Sequence, residues 1–91
     1  MKVRYFAYIR EFTGCGSAEE EYCSTVRELL LKLGRKYGEG MRKTLWEVEG
    51  VQTCEEILVM VGGHKICCTT NLDYSLKPED VVSLFRVVTG G

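Results

Sequence analysis

Apolar and polar positions alternate from Val3 to Ile9. The alternation predicts a strand with Val3, Tyr5, Ala7 and Ile9 on one face and Arg4, Phe6, Tyr8 and Arg10 on the other. Aromatic side chains on the second face imply that it is partly covered too. Thr13-Gly14-Cys15-Gly16-Ser17 has turn composition, and Ala18–Cys23 reads as a second, antiparallel strand. Its run Glu19-Glu20-Glu21 is expected to be a solvated edge guarded by charge. The period then changes. Val26, Leu29, Leu30, Leu33 and Tyr37 make one apolar stripe at helical spacing. Thr25 and Glu28 precede it with capping-box spacing, Lys32, Arg35 and Lys36 complement the helix dipole, and Gly38 stops it. Gly34 inside this helix costs about 1 kcal/mol relative to alanine and is expected to let the helix sit close to the sheet. Met41–Val48 reads as a second short helix anchored by Leu45 and Trp46 and ended by Gly50, with Trp46 covering the core.

A period of two returns at Glu55–Val61, with Ile57, Val59 and Val61 on one face and Leu58 and Met60 on the other. Gly62-Gly63 supplies the positive φ values of a two-residue hairpin, and His64–Thr69 returns as the paired strand. Asn71–Asp80 is a polar connection carrying two buried-looking leucines, Leu72 and Leu76. It closes with a turn at Lys77-Pro78-Glu79-Asp80, where proline presets φ. Val81–Val88 is nearly all apolar, as expected of a central strand covered on both faces. The order strand, strand, helix, short helix, strand, strand, strand predicts an α+β fold: a mixed sheet of about four to five strands crossed by one main helix.

Ninety-one residues make one domain, 1–91, with residues 86–91 as its tail. A net charge of −1 argues against a nucleic-acid partner, which would call for a basic stripe. No run of about 18 apolar residues exists, so no transmembrane helix is expected, and Met1-Lys2-Val3-Arg4-Tyr5 lacks the apolar run and small-residue cleavage site expected of a secretory leader. Cys15, Cys23, Cys54, Cys67 and Cys68 contain no C-x-x-C pair, and with the lone His64 they offer no zinc-site spacing. They read as reduced thiols of a cytoplasmic protein. Cys67 and Cys68 are adjacent, so in a strand they point to opposite faces. They are taken as small, partly buried residues, and a sulfur-relay role has no spacing behind it. His64 stands beside a turn with no triad partner and reads as a surface histidine.

The last apolar run, Phe85-Arg86-Val87-Val88, passes through Thr89 into Gly90-Gly91. Glycine has no Cβ, so a terminal Gly-Gly suits a tail that threads a narrow site with its carboxylate unshielded. With the element order above, the chain resembles the ubiquitin-like β-grasp sulfur carriers, the family of the molybdopterin synthase small subunit and the thiamine-pathway carrier. The resemblance covers the whole chain. It rests on Val3-Arg4-Tyr5-Phe6-Ala7-Tyr8-Ile9-Arg10-Glu11, on Thr25-Val26-Arg27-Glu28-Leu29-Leu30, and on Val59-Met60-Val61-Gly62-Gly63. Its most specific part is Leu76-Lys77-Pro78-Glu79-Asp80-Val81-Val82-Ser83-Leu84-Phe85 leading to Thr89-Gly90-Gly91. Two positions depart from the family's usual pattern. Gly62 stands where an asparagine is common, and Arg86-Val87 stands where Pro-Pro would stiffen the tail.

The resemblance implies a carrier rather than a self-contained enzyme. The Gly91 carboxylate would be adenylated and become a thiocarboxylate that supplies sulfur to cyclic pyranopterin monophosphate. Gly90 and Thr89 would thread, and Phe85, Arg86 and Val88 would dock. The implied partners are the large catalytic subunit of molybdopterin synthase, a ubiquitin-activating-type adenylating enzyme and a sulfur donor protein, with no nucleic acid and no membrane. No cofactor or metal would be bound, and ATP would be used by the adenylating enzyme. Three rivals belong to other classes: a ubiquitin-like modifier joined through Gly91 to lysines, a carrier for a tungsten-pterin, thiamine or cysteine pathway, and a binding module with an inert tail. The thiamine carrier usually lacks the segment corresponding to Glu39–Thr53.

Overall fold

The apolar stripe forms α2 (Val26–Tyr37), whose Val26, Leu29, Leu30 and Leu33 are fully buried. Each such side chain contributes about 1.5–3 kcal/mol relative to exposure. The computed structural model describes residues 1–66 and 71–87. Within them, α2 lies across a sheet made of β1 (Lys2–Tyr5), β2 (Ser17–Glu19), β5 (Ile57–Val61), β6 (His64–Ile66) and β7 (Val81–Arg86). The strand order is β2-β1-β7-β5-β6. β7 runs parallel to β1 and antiparallel to β5, and the two hairpins flank this centre. This is the mixed sheet expected of a β-grasp fold. Val3, Tyr5, Val59, Val82 and Leu84 occupy its buried face.

The loop before β7 finishes the helix. Leu72 and Leu76 are buried as expected, and the carbonyls of Tyr74 and Leu72 accept from the N–H groups of Val26 and Arg27. Those donors would otherwise be orphaned in the first helical turn. Thr25 Oγ1 accepts from Glu28 N at 3.2 Å, while the Glu28 carboxylate takes the N–H and hydroxyl of Ser24 instead of the N–H of Thr25. Gly62 and Gly63 adopt φ of 55° and 90°, the hairpin geometry predicted for them.

Four local expectations are corrected. The first strand stops at Tyr5, and α1 (Tyr8–Thr13) follows it. Ala7 takes φ 49° and ψ −123°, which breaks the alternation. Ile9 is still buried, but from a helix. Met41–Val48 divides into α3 (Glu39–Leu45) and β3 (Trp46–Val48), which pairs with β4 (Gln52–Thr53) in a separate ribbon. Leu45 and Trp46 are both buried, as expected. Gly34 admits α3 rather than the sheet, since a Cβ there would lie 2.6 Å from Arg42 Cγ. β7 is central, but only Val82 and Leu84 are buried; Val81, Ser83 and Phe85 on its other face are half-covered. The part of the expected strand His64–Thr69 beyond Ile66, with Cys67 and Cys68, lies outside the described residues.

Glu20 is a further correction. Only Glu19 and Glu21 form the solvated edge; Glu20 is buried. Successive residues at a strand end face opposite ways, so Glu20 follows Ala18 inward. Its carboxylate accepts from Tyr5 Oη at 2.7 Å, Tyr37 Oη at 2.8 Å and Lys36 Nζ at 2.7 Å. This cluster ties β1 and the end of β2 to the last turn of α2. Burial alone would raise the Glu20 pKa, but the bonds from Lys36, Tyr5 and Tyr37 outweigh it and hold the carboxyl below its ordinary value. A depressed folded-state pKa contributes stability that is fully present above the unfolded value and lost as pH falls through the folded one. Chemical denaturation against pH is therefore expected to show stability declining in acid from about pH 4.5, the ordinary value, downward. Glu20→Gln should lose about 2 kcal/mol at neutral pH and show a shallower acid decline.

Ala7 yields a second test. Positive φ is uncommon for any residue with a Cβ and worst for a β-branched one. Ala7→Val is expected to destabilise the fold by about 2 kcal/mol, whereas Ala7→Gly should leave the denaturation midpoint at or above that of the parent.

Candidate functional site at the end of the central strand

Strand β7 carries the chain toward the predicted tail. Arg86, expected as the first tail residue, is the last of β7 and pairs with Ile57. Val87 then donates its N–H to the Glu56 carbonyl at 2.7 Å. The backbone is thus held by the sheet as far as Val87, whose side chain is exposed. Val88, Thr89, Gly90 and Gly91 lie outside the described residues, so of the predicted site residues only Phe85 and Arg86 have a described setting.

These two side chains leave the strand on opposite faces. Phe85 lies on the face away from α2, across from Leu58, and its ring stacks on Phe6 at 4.3 Å and 9° between planes. Arg4 reaches the other side of this pair, with its guanidinium carbon 5.4 Å from the Phe6 centroid. The same face carries Met60, Ser83 and Lys65 in register. It is an apolar centre with a cationic margin, partly covered by its own aromatic residues as the alternation predicted. Arg86 follows Leu84 toward the opposite side, and its guanidinium carbon lies 4.5 Å from the Tyr8 centroid. Tyr8 in turn meets Phe12 edge-on at 5.2 Å.

Phe6 and Tyr8 are the residues that sequence reading left unassigned. They register as aromatics on a strand face, but their roles depend on the chain turning at Ala7. Phe6 still extends the β1 ladder, donating its N–H to the Leu84 carbonyl at 3.1 Å.

The Cys23 and Cys54 thiols are poor nucleophiles. Burial pushes the Cys23 and Cys54 pKa values up, and Glu47 and Glu56 push Cys54 further in the same direction. Burial likewise drives the Tyr5 phenol far above its ordinary value, with help from Tyr37 and Glu20. His64 is exposed beside the hairpin turn. Among the described residues, no helix is long and apolar enough to cross a membrane.

The comparisons with known proteins agree with this geometry. The chain superimposes on small archaeal modifier protein 1 of Methanosarcina acetivorans with a TM-score of 0.79 at 26% identity, covering 99% of this chain and 94% of that one. A candidate molybdopterin converting factor subunit 1 from Pyrococcus furiosus is similar at a TM-score of 0.70 and 28% identity, with 96% and 95% covered. The Amycolatopsis orientalis BexX/CysO complex contains a chain with the same fold, at a TM-score of 0.79 and 23% identity, with 99% and 98% covered. No curated protein matches the sequence. The ThiS family model matches residues 3–91, which takes in both the described domain and Gly90-Gly91. The chain belongs to the ThiS family of small ubiquitin-like sulfur carriers, which are not catalytic enzymes by themselves.

Proposed function

We propose that this protein is the sulfur-carrying small subunit of a molybdopterin synthase, acting through Gly91 in the cytoplasm. The observation that carries the reading is the course of the chain: the central strand is held to Val87 and leads, four residues later, to Gly91, and the family match runs through that residue. The 28% identity to the Pyrococcus furiosus converting-factor protein supports the molybdopterin pathway.

A carboxylate is a poor acyl donor. Attack of the Gly91 carboxylate on the α-phosphate of ATP, in a separate ubiquitin-activating-type enzyme, releases pyrophosphate and forms an acyl-adenylate. Hydrosulfide supplied by a donor protein then displaces AMP, a good leaving group, and the carrier ends as a thiocarboxylate. Two easier steps replace one hard one. Gly90 and Thr89 pass through the narrow approach to each partner site, where a Cβ at residue 90 would obstruct. The large catalytic subunit supplies the acid–base groups and oxyanion donors for transfer to cyclic pyranopterin monophosphate. ATP belongs to the adenylating enzyme, and the carrier needs no cofactor of its own.

Phe85, with Phe6, Leu58 and Met60 beside it, supplies the apolar centre of the docking face, since aromatic residues are enriched at interface hot spots. A second reading is a protein modifier conjugated through Gly91 to lysines. It is favoured by the 26% identity to the archaeal modifier protein and by Arg86-Val87 standing where the carriers commonly have Pro-Pro.

High-resolution intact mass, after incubation with the adenylating enzyme, ATP and a sulfur donor, separates the two. The carrier is expected to gain the difference between sulfur and oxygen, and a variant lacking Gly91 to gain nothing; this control excludes methionine or cysteine oxidation. No gain together with lysine-linked conjugates in cell extract would replace the carrier reading with the modifier reading.

A further inference from the structure

We propose that Phe6 and Tyr8 form an aromatic clamp that straddles the end of β7 and holds it through Arg86, with Tyr8 and Arg86 as positioning residues for activation of Gly91. The inference rests on the carrier reading above and adds to it how the tail is presented.

The argument begins with strand geometry. Phe85 and Arg86 are neighbours, so they project to opposite faces of the sheet. A partner strand running straight on would present Phe6 and Tyr8 to one face only, because residues i and i+2 share a face. One strand could then hold Phe85 or Arg86, but not both. Ala7, at φ 49° and ψ −123°, breaks that rule at the one position where the break is useful. Phe6 stays on the open face and stacks on Phe85 at 4.3 Å; Tyr8 turns into α1 and lies 4.5 Å from the Arg86 guanidinium. Strained backbone persists where surrounding contacts over-determine it, and here those contacts are the Phe6 stack, the Phe6 N–H bond to Leu84 and the edge-on packing of Tyr8 on Phe12.

The clamp also accounts for Arg86. Where the carriers commonly place Pro-Pro, rigidity comes from a locked φ. This chain has a long, flexible side chain there instead, and the Tyr8 ring holds it by a cation–π contact. The end of β7 is then held by side-chain packing rather than by proline.

The test uses the full chain and four variants: Tyr8→Leu, Tyr8→Phe, Arg86→Gln and the Tyr8→Leu/Arg86→Gln double variant. Two quantities are read: amide hydrogen exchange at Val87, with the core residue Val59 as control, and kcat and KM for tail adenylation by the adenylating enzyme. Tyr8→Leu and Arg86→Gln should each speed exchange at Val87 about threefold, the size of a partly exposed cation–π contact, with Val59 unchanged. Each should lower kcat by a similar factor with KM little changed. The double variant should be no worse than either single one, and Tyr8→Phe, which keeps the ring, should match the parent. The proposal is overturned if Val87 exchange is unaffected by Tyr8→Leu, or if kcat is. It is also overturned if the two substitutions are additive and Arg86→Gln raises KM, since Arg86 would then contact the partner instead of Tyr8. Absence of adenylation in the parent, with a competent enzyme, would refute the carrier reading itself, and the exchange data would still decide whether the clamp exists.

Discussion

The parallel pairing of β1 with β7 is the constraint on which the rest of the molecule depends. Val3 lies beside Val82 and Tyr5 beside Leu84, so strands from opposite ends of the sequence form the middle of the sheet. Closing so long a loop costs conformational entropy before any contact repays it. The repayment comes from α2, whose leucines cover the two central strands, and from the flanking hairpins. The functional consequence is direct. Because β7 is a central strand and not an edge, the segment that follows it starts from a backbone paired on both sides, to β1 and β5.

A buried charge secures the opposite side of this arrangement. Glu20 sits where β2 ends, and its two oxygens are shared among Tyr5, Tyr37 and Lys36. A buried carboxylate is costly unless its lone pairs are satisfied. Here three donors from two elements converge on it, which fixes how the first hairpin meets the helix. Glu20 therefore works as a structural tie on the helix side of the sheet.

The proposed function divides labour between a folded body and a reactive end. Burial raises the pKa of the Cys23 and Cys54 thiols, and the Tyr5 phenol is desolvated. The chemistry proposed for Gly91 draws its catalytic groups from partner proteins, so what the domain contributes is presentation. Phe85 and Arg86 show how. One side chain is half-covered on the face away from α2, and the other lies against the Tyr8 ring of α1 on the reverse side.

Periodicity and punctuation alone determined the α2 stripe and its cap, the β5–β6 hairpin with its two glycines, the turn before β7 and the Gly-Gly close. These are local matters, settled by side-chain spacing, by φ preferences and by capping groups a few residues apart. The order of those elements was enough to indicate the β-grasp fold. What lay beyond local pattern was decided in three dimensions. Ala7 interrupts an alternation that looks unbroken, because Ile9 is buried whether its segment is strand or helix. Glu20 reads as one of three solvated acids until Tyr5 and Tyr37 meet it; two tyrosines on core-facing stripes, each needing a hydrogen-bond partner, were its only trace in the sequence. Residues 46–48 leave the helical path because Trp46 finds a strand partner at Thr53. In each case a distant residue overrules a local preference worth about 1 kcal/mol or less, through burial and hydrogen bonds that no local pattern records.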